Sequence, residues 1–182
     1  MNKVYIAGDM LKQGNQMLRK LEKEKLESAG LKVHNPMDDE EINDKKKDPK
    51  AEDIFRKDTQ AIIESETIIF DADDNNVGTT TEVGQVWGIN FMLGEINKAI
   101  DESDGSYEDI GKKIMKILGR IPLKDVYWHN SDIRNVEGIK EEGLRRSYSL
   151  NQYLHGCLLD MSGEHKFFDE IVDILSEKAK KE

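Results

Sequence analysis

Three short apolar runs, separated by two stretches rich in lysine and glutamate, occupy the first seventy residues and restrict the fold more than any other feature of the chain. Val4-Tyr5-Ile6-Ala7 ends at Gly8 and reads as a buried strand entering a loop. Between Asn15 and Ser28, Met17, Leu18, Leu21 and Leu26 recur at helical spacing. Ala29-Gly30 then supplies the glycine favoured just past a helix end. Leu31-Lys32-Val33-His34 reads as a second strand, stopped by Asn35-Pro36. A helix from Ala51 to Glu66 precedes Thr67-Ile68-Ile69-Phe70-Asp71, the most strand-like segment of the chain. Strands alternating with helices bury a parallel sheet under helical layers on both faces, with right-handed crossovers.

The expected class is therefore α/β: a doubly wound parallel sheet, flavodoxin-like or Rossmann-like. Residues 1–182 are expected to form a single domain with a C-terminal helical extension. The run 38–53 is dominated by charge and reads as a solvated, mobile loop. A polar turn from Ala72 to Gly78 leads to a helix opening near Thr80 or Thr81, and Asp101 to Tyr107 form a second loop. Ile110, Ile114, Ile117 and Leu118 make a helical stripe. Val126-Tyr127-Trp128 is a candidate fourth strand, and Ser131 to Glu142 a short helix ended by Gly143. Phe167, Phe168, Ile171, Val172, Ile174 and Leu175 mark a closing amphipathic helix. Ligands in such folds bind outside the carboxyl ends of the strands. That rule groups Gly8-Asp9-Met10, the turn after Asp71 and the start of the following helix.

Charge narrows the partners. The chain carries a net charge of −10, with 35% charged and 37% hydrophobic residues. Such a surface repels phosphate backbones, which excludes a general nucleic-acid binder and leaves a small uncharged ligand open. One cysteine, Cys157, precludes an internal disulfide and fits a reducing compartment. No run approaches the roughly 20 apolar residues of a membrane helix, and the apolar start is too short for a signal peptide. The expectation is a soluble, cytoplasmic protein with no membrane partner. His34, His129, His155 and His165 lack metal-ligand spacing, and neither HExxH nor CxxC occurs. GxGxxG is absent and Gly8 to Gly14 is not a Walker A loop, so no metal and no cofactor are expected. Gly84 and Gly88, at i and i+4, suggest close packing within the subunit or across a dimer. Cys157 reads as structural, and Trp87 and Trp128 as core.

Two carboxylates stand out. In Asn76-Val77-Gly78-Thr79-Thr80-Thr81-Glu82-Val83-Gly84, Gly78 permits a tight turn or close approach to a ligand, and the threonines offer a cap. Glu82 then falls in a first helical turn, where the macrodipole favours a carboxylate. It serves either as a capping-box glutamate or as an ionised, rigidly placed nucleophile. Asp58 has Ile54, Phe55, Ala61 and Ile62 at i−4, i−3, i+3 and i+4. That places it on an apolar helical face, desolvated and suited to handling a proton, or else at the stripe edge reaching water. Together they match the carboxylate pair of glycosidic chemistry, in which one attacks carbon and the other serves the leaving group.

Val4-Tyr5-Ile6-Ala7-Gly8, Arg56-Lys57-Asp58-Thr59-Gln60-Ala61-Ile62 and Gly78-Thr79-Thr80-Thr81-Glu82-Val83-Gly84 resemble, in order and separation, the nucleoside 2-deoxyribosyltransferase family. The likeness is best over residues 1–100 and less definite over 101–182. It implies cleavage of the N-glycosidic bond of 2′-deoxynucleosides, with Glu82 as the nucleophile that displaces the base from C1′. Transfer to a second nucleobase then follows through a covalent intermediate. It also implies Asp58 at the base, Tyr5 and Gly8 lining the sugar pocket, Gly78 in the substrate loop, and a homodimer or larger homo-oligomer. Where family transferases often carry an aspartate six residues before the nucleophile, this chain has Asn76, which binds a base edge without sharing a proton; Asp73 or Asp74 are candidates to compensate. Ser149-Leu150-Asn151-Gln152 offers Asn151 for the asparagine or serine that a neighbouring subunit contributes near the sugar 5′ end. Hydrolysis of deoxynucleoside 5′-monophosphates on the same scaffold, and a non-catalytic nucleotide-binding module, are the alternative functions. Lys12 is the only cation close in sequence to Gly8, which favours an uncharged 5′-hydroxyl.

Overall fold

A computed structural model describes residues 3–43, 49–71, 76–121, 126–127, 129, 139–140, 146–147, 150–162 and 165–179. Strand β1 (Lys3–Ala7) is followed by α1 (Gln13–Ser28) and β2 (Lys32–His34). A 3-10 turn (Pro36–Asp38), α2 (Glu40–Asn43), α3 (Ala51–Ile63) and β3 (Thr67–Phe70) come next. The three strands form a parallel sheet in the order β2-β1-β3, with Tyr5 opposite both His34 and Ile68. This is the expected doubly wound α/β arrangement. The chain steps from β1 to one side, then crosses to the other, so the topological switch point lies at the carboxyl ends of β1 and β3. Val4, Tyr5, Ile6 and Ala7 are all buried, as a central strand of a covered parallel sheet requires.

Helix α1 closes as the sequence indicates: Gly30 adopts φ +84°, and the Leu31 amide donates to the Leu26 carbonyl at 3.2 Å. Its buried residue is a surprise. Met17, Leu18 and Leu21 remain exposed, and the side chain that α1 buries is Arg19. The charged run 38–53 is also more ordered at its start than expected. Asn35 caps the 3-10 turn through Met37 N–H, and Lys57 of α3 pairs with Asp39 and Glu41. Residues 44–48, in its middle, lie outside the described residues.

Two compact units are distinguished, Met1–Thr81 with Val126–Glu182, and Glu82–Asp125. The first also contains a short antiparallel ladder, β4 (Ile139–Lys140) with β5 (Arg146–Ser147), then α6 (Gln152–Ser162) and α7 (Phe168–Ala179). Ile139 and Lys140 therefore leave the expected helix over 131–142, because cross-strand pairing outweighs its weak helical pattern; the rest of that segment lies outside the described residues. Val126 and Tyr127 form no strand, and Trp128 is not among the described residues. The second unit holds α4 (Val77–Asp101) from Glu82 onward and α5 (Tyr107–Arg120), joined by the Arg120–Glu95 ion pair. Ser106 caps α5 by accepting from Asp109 N–H at 3.1 Å. No helix among the described residues is long and apolar enough to cross a membrane.

Candidate active site

At the carboxyl end of β1 the chain builds a charged knot. The Arg19 side chain is 2% exposed. It donates to the Ala7 carbonyl at 3.3 Å, to Asp71 Oδ2 at 2.6 Å and to Glu22 Oε1 at 3.0 Å. The Asp71 amide donates to the same Ala7 carbonyl at 2.8 Å, closing β3 onto β1. The guanidinium explains Gly8. A Cβ there would lie 2.1 Å from Arg19 Nη1 and 3.1 Å from Asp71 Cβ. The neighbouring Asp9 folds its carboxylate back on its own loop, accepting from Leu11 N–H at 2.8 Å and Asn15 Nδ2 at 2.5 Å.

The start of α4 differs from the expectation in one chemical respect. The helix opens at Val77, not at Thr80 or Thr81, because Asn76 is the cap: its Oδ1 accepts from Thr79 N–H at 3.2 Å. Thr80 and Thr81 turn their hydroxyls back onto the Asn76 and Val77 carbonyls, at 2.9 and 2.8 Å. Glu82 consequently falls in the second turn, so it is no capping-box glutamate, and the helix dipole, which fades after the first turn, acts on it less. It is nevertheless buried, at 7% exposure. Gly78 faces two amides: a Cβ there would meet Asn151 Nδ2 at 3.4 Å and Asn76 Oδ1 at 3.6 Å. Asn151 caps α6 in turn, its Oδ1 accepting from Tyr153 N–H at 2.9 Å and Leu154 N–H at 3.2 Å. With both Oδ1 atoms engaged in caps, Asn151 keeps its Nδ2 donor beside Gly78, and the Nδ2 of Asn76 is buried with no partner among the described residues. Asn151 thus stands beside the Gly78 of its own chain. Asp73 and Asp74 lie outside the described residues.

Asp58 is 4% exposed on the face of α3 that also buries Ala51, Phe55, Ala61 and Ile62. That face is sealed by α6. Gly156 sits so close that a Cβ would be 2.2 Å from the Ala51 carbonyl oxygen, and Phe55 meets Tyr153 edge-on at 5.2 Å. Tyr153 also shares a 3.4 Å hydrogen bond with Thr59, and Arg56 bonds Asp160 at 2.9 Å. The C-terminal extension is therefore what desolvates the Asp58 helix. Burial and the nearby Asp160 push the Cys157 thiol up, as an inert structural cysteine should behave.

Tyr5 is fully buried and stacks on His34, with ring centres 5.4 Å apart and planes 11° from parallel. Burial, and then the Lys3 ammonium, hold the His34 imidazole below its ordinary pKa. Its Nε2 and the Nδ2 of Asn35 are buried at the end of β2 with no partner among the described residues. Trp87, in contrast to the expectation of a core residue, is 67% exposed and stacks on Phe91. Its helix carries apolar residues on more faces than one neighbouring helix can cover. Among the described residues neither Gly84 nor Gly88 has a packing neighbour within 4 Å of the Cβ position, so the close approach suggested by their spacing is not made there. No group of three His, Cys, Asp or Glu side chains among the described residues converges as metal ligands do.

The inward turn of Arg19 and the seating of α6 on α3 escaped the sequence reading, although an apolar helix after Gln152 was expected. No periodicity distinguishes an arginine that turns inward from the lysines beside it. The signal for the α3–α6 contact was Gly156 among apolar neighbours, legible only once α3 is known to lie against it.

The model of the nucleoside 2-deoxyribosyltransferase family matches residues 4–115, from β1 into α5. The chain belongs to that family. The matched span takes in both buried carboxylates, and membership makes the chain a glycosyl-transferring enzyme of the nucleoside deoxyribosyltransferase type, with small nucleosides and nucleobases as substrates. No curated protein and no solved structure matches it.

Proposed function

We propose that this family member exchanges nucleobases on 2′-deoxynucleosides, with Glu82 as nucleophile and Asp58 as the proton-handling group at the base. One observation carries the reading. The chain holds 37 acidic residues, yet among the described residues only Asp58 and Glu82 are buried, at 4% and 7% exposure. Aspartate and glutamate are almost never fully buried unless the fold pairs them, so two such sites in a strongly acidic chain support use rather than accident. Both occur in the family-matched span, on the helices before and after β3.

In this reading a Glu82 carboxylate oxygen bonds to C1′ as the C1′–N bond breaks, and the departing base nitrogen takes a proton that Asp58 supplies or relays. A second base attacks C1′ through nitrogen, loses a proton to the same group and releases Glu82, with overall retention. The Nδ2 group of Asn151 beside Gly78 and the unpartnered Nδ2 of Asn76 serve the substrate as donors. The position of Asn151 beside its own Gly78 supports a role in its own subunit. Gly8 faces the sugar, Tyr5 supports that floor from behind because it is fully buried, and the 182 residues act as one catalytic domain. The uncovered apolar side of α4, including Val83, Trp87 and Leu93, supports a homo-oligomer.

The test is incubation with deoxyinosine, with and without adenine or cytosine, followed by chromatography. A new deoxynucleoside is expected, lost by about four orders of magnitude in Glu82→Ala and by about 10²–10³-fold in Asp58→Asn. Free hypoxanthine without exchange would replace transfer by hydrolysis. Absence of any turnover would leave a ligand-binding module.

A further inference from the structure

The pair at the carboxyl end of β1 has a second consequence, for the charge of the substrate. In doubly wound folds the first strand-to-helix turn is the usual phosphate seat, because free loop amides and a nearby cation there attract anions. This chain has the parts of such a seat. A guanidinium lies beside Gly8 at the switch point between β1 and β3, and its Nε is buried with no partner among the described residues. The parts are already satisfied by the chain's own carboxylates. Asp71 takes Arg19 Nη2 at 2.6 Å and Glu22 takes the same nitrogen at 3.0 Å, while Asp9 takes the Leu11 amide and the Asn15 side chain.

The two partners of the ion pair are unequally exposed, 2% for Arg19 and 51% for Asp71. A ligand reaching the switch point therefore meets the carboxylate and not the guanidinium. Even with Lys12 counted beside Arg19, two cations against Asp71, Glu22 and Asp9 leave the turn net negative. A phosphate would face like charge and would have to displace Asp71 from a strong charge-assisted bond. A hydroxyl would instead donate to an acceptor that Arg19 holds still.

We propose that Asp71, clamped by Arg19, makes this turn select an uncharged, hydroxyl-bearing end of the ligand and reject its phosphorylated form. On the reading above, this means deoxynucleosides in preference to their 5′-monophosphates, so the inference rests on that reading for the identity of the ligand. Arg19 is a positioning residue here, and Asp71 determines specificity.

The experiment compares kcat/KM for deoxyinosine and deoxyinosine 5′-monophosphate in the full chain and in Asp71→Asn, with calorimetric titration of inorganic phosphate into both. The wild type is expected to favour the nucleoside by about 100-fold or more, and Asp71→Asn to shrink that ratio by about tenfold or more through the monophosphate KM. Phosphate should bind the variant and compete with the monophosphate, while the wild type ignores it. Equal use of both substrates by the wild type, or an unchanged ratio in a folded Asp71→Asn, overturns the proposal. If neither substrate turns over, the catalytic reading fails, and the titration still decides the matter: phosphate binding gained on removing the Asp71 charge supports the masked seat, and no gain refutes it. Should Asp71→Asn fail to fold, Asp71→Ser keeps an acceptor for Arg19 while removing the charge, and the same two outcomes apply.

Discussion

The helices on either side of β3 each carry one of the two buried carboxylates, but they are supported in opposite ways. Helix α3 is amphipathic, and its apolar side chains Phe55, Ala61 and Ile62 are buried with Asp58 among them. Helix α4 runs from Val83 to Gly94 without a single charged residue, in a chain that is 35% charged. Yet Val83, Trp87, Phe91 and Leu93 are all exposed. An apolar helix gains stability only from a surface that covers it. For α3 that surface is α6 of the same chain; α4 is tied to α5 through Arg120 and Glu95, and these four side chains stay exposed among the described residues. The contrast teaches that the helix of Asp58 is held by packing the chain completes for itself, whereas the helix of Glu82 carries an exposed apolar face.

The largest effect is expected from Phe55→Ala, which opens a cavity between α3 and α6. A loss of about 3–5 kcal/mol, or roughly 10 °C in melting temperature, should appear in thermal unfolding followed by circular dichroism. A loss below about 1 kcal/mol would mean that α6 does not seal α3, and the comparison would collapse. Gly156→Val tests the same contact from the other side. Its Cβ has nowhere to go against the Ala51 carbonyl, so about 3 kcal/mol of destabilisation is expected.

On α4 the sign reverses. Gly84→Ala has open space around it and should gain about 0.5–1 kcal/mol from helix propensity. Analytical ultracentrifugation alongside the melt sharpens this result: a variant that loses stability and mass together would show the face covered by a second copy in solution. The smallest effect is expected from mild acid. The imidazoles of His34 and His165 are both held below the ordinary value, by burial first, and both belong to the sheet-containing unit, while residues 82–125 contain no histidine. A depressed histidine pKa means that the unfolded chain binds the proton more readily. Stability is therefore fully present above about pH 6.5 and is lost as the pH falls through the lower folded value. Hydrogen exchange between pH 7.5 and 5 should show amides of β1 and β2 losing protection while those of α5 hold theirs.

Much of this architecture was legible beforehand because it rests on local regularities. Period and punctuation located β1, α1, β2, α3 and β3 to within a few residues, and the Asp58 stripe left two readings, of which the structure bears out the buried acid. The start of α4 was misjudged for a local reason too: with several cap-forming residues in succession, Asn76 and the threonines compete, and only backbone geometry shows which side chain reaches an amide. Arg19, the Asn151–Gly78 approach and the Gly156 contact were illegible because each joins residues far apart along the chain.

The sequence by itself determined the order of strands and helices, the acidic surface and the identity of the two carboxylates. Those properties follow from side-chain chemistry at fixed local spacing. The tertiary structure alone decided that Arg19 turns inward to meet Asp71, that the C-terminal helix α6 desolvates the Asp58 face, and that Asn76 and Asn151 converge on Gly78. Burial and charge pairing depend on what the fold brings within a few ångströms, and no one-dimensional pattern contains that distance.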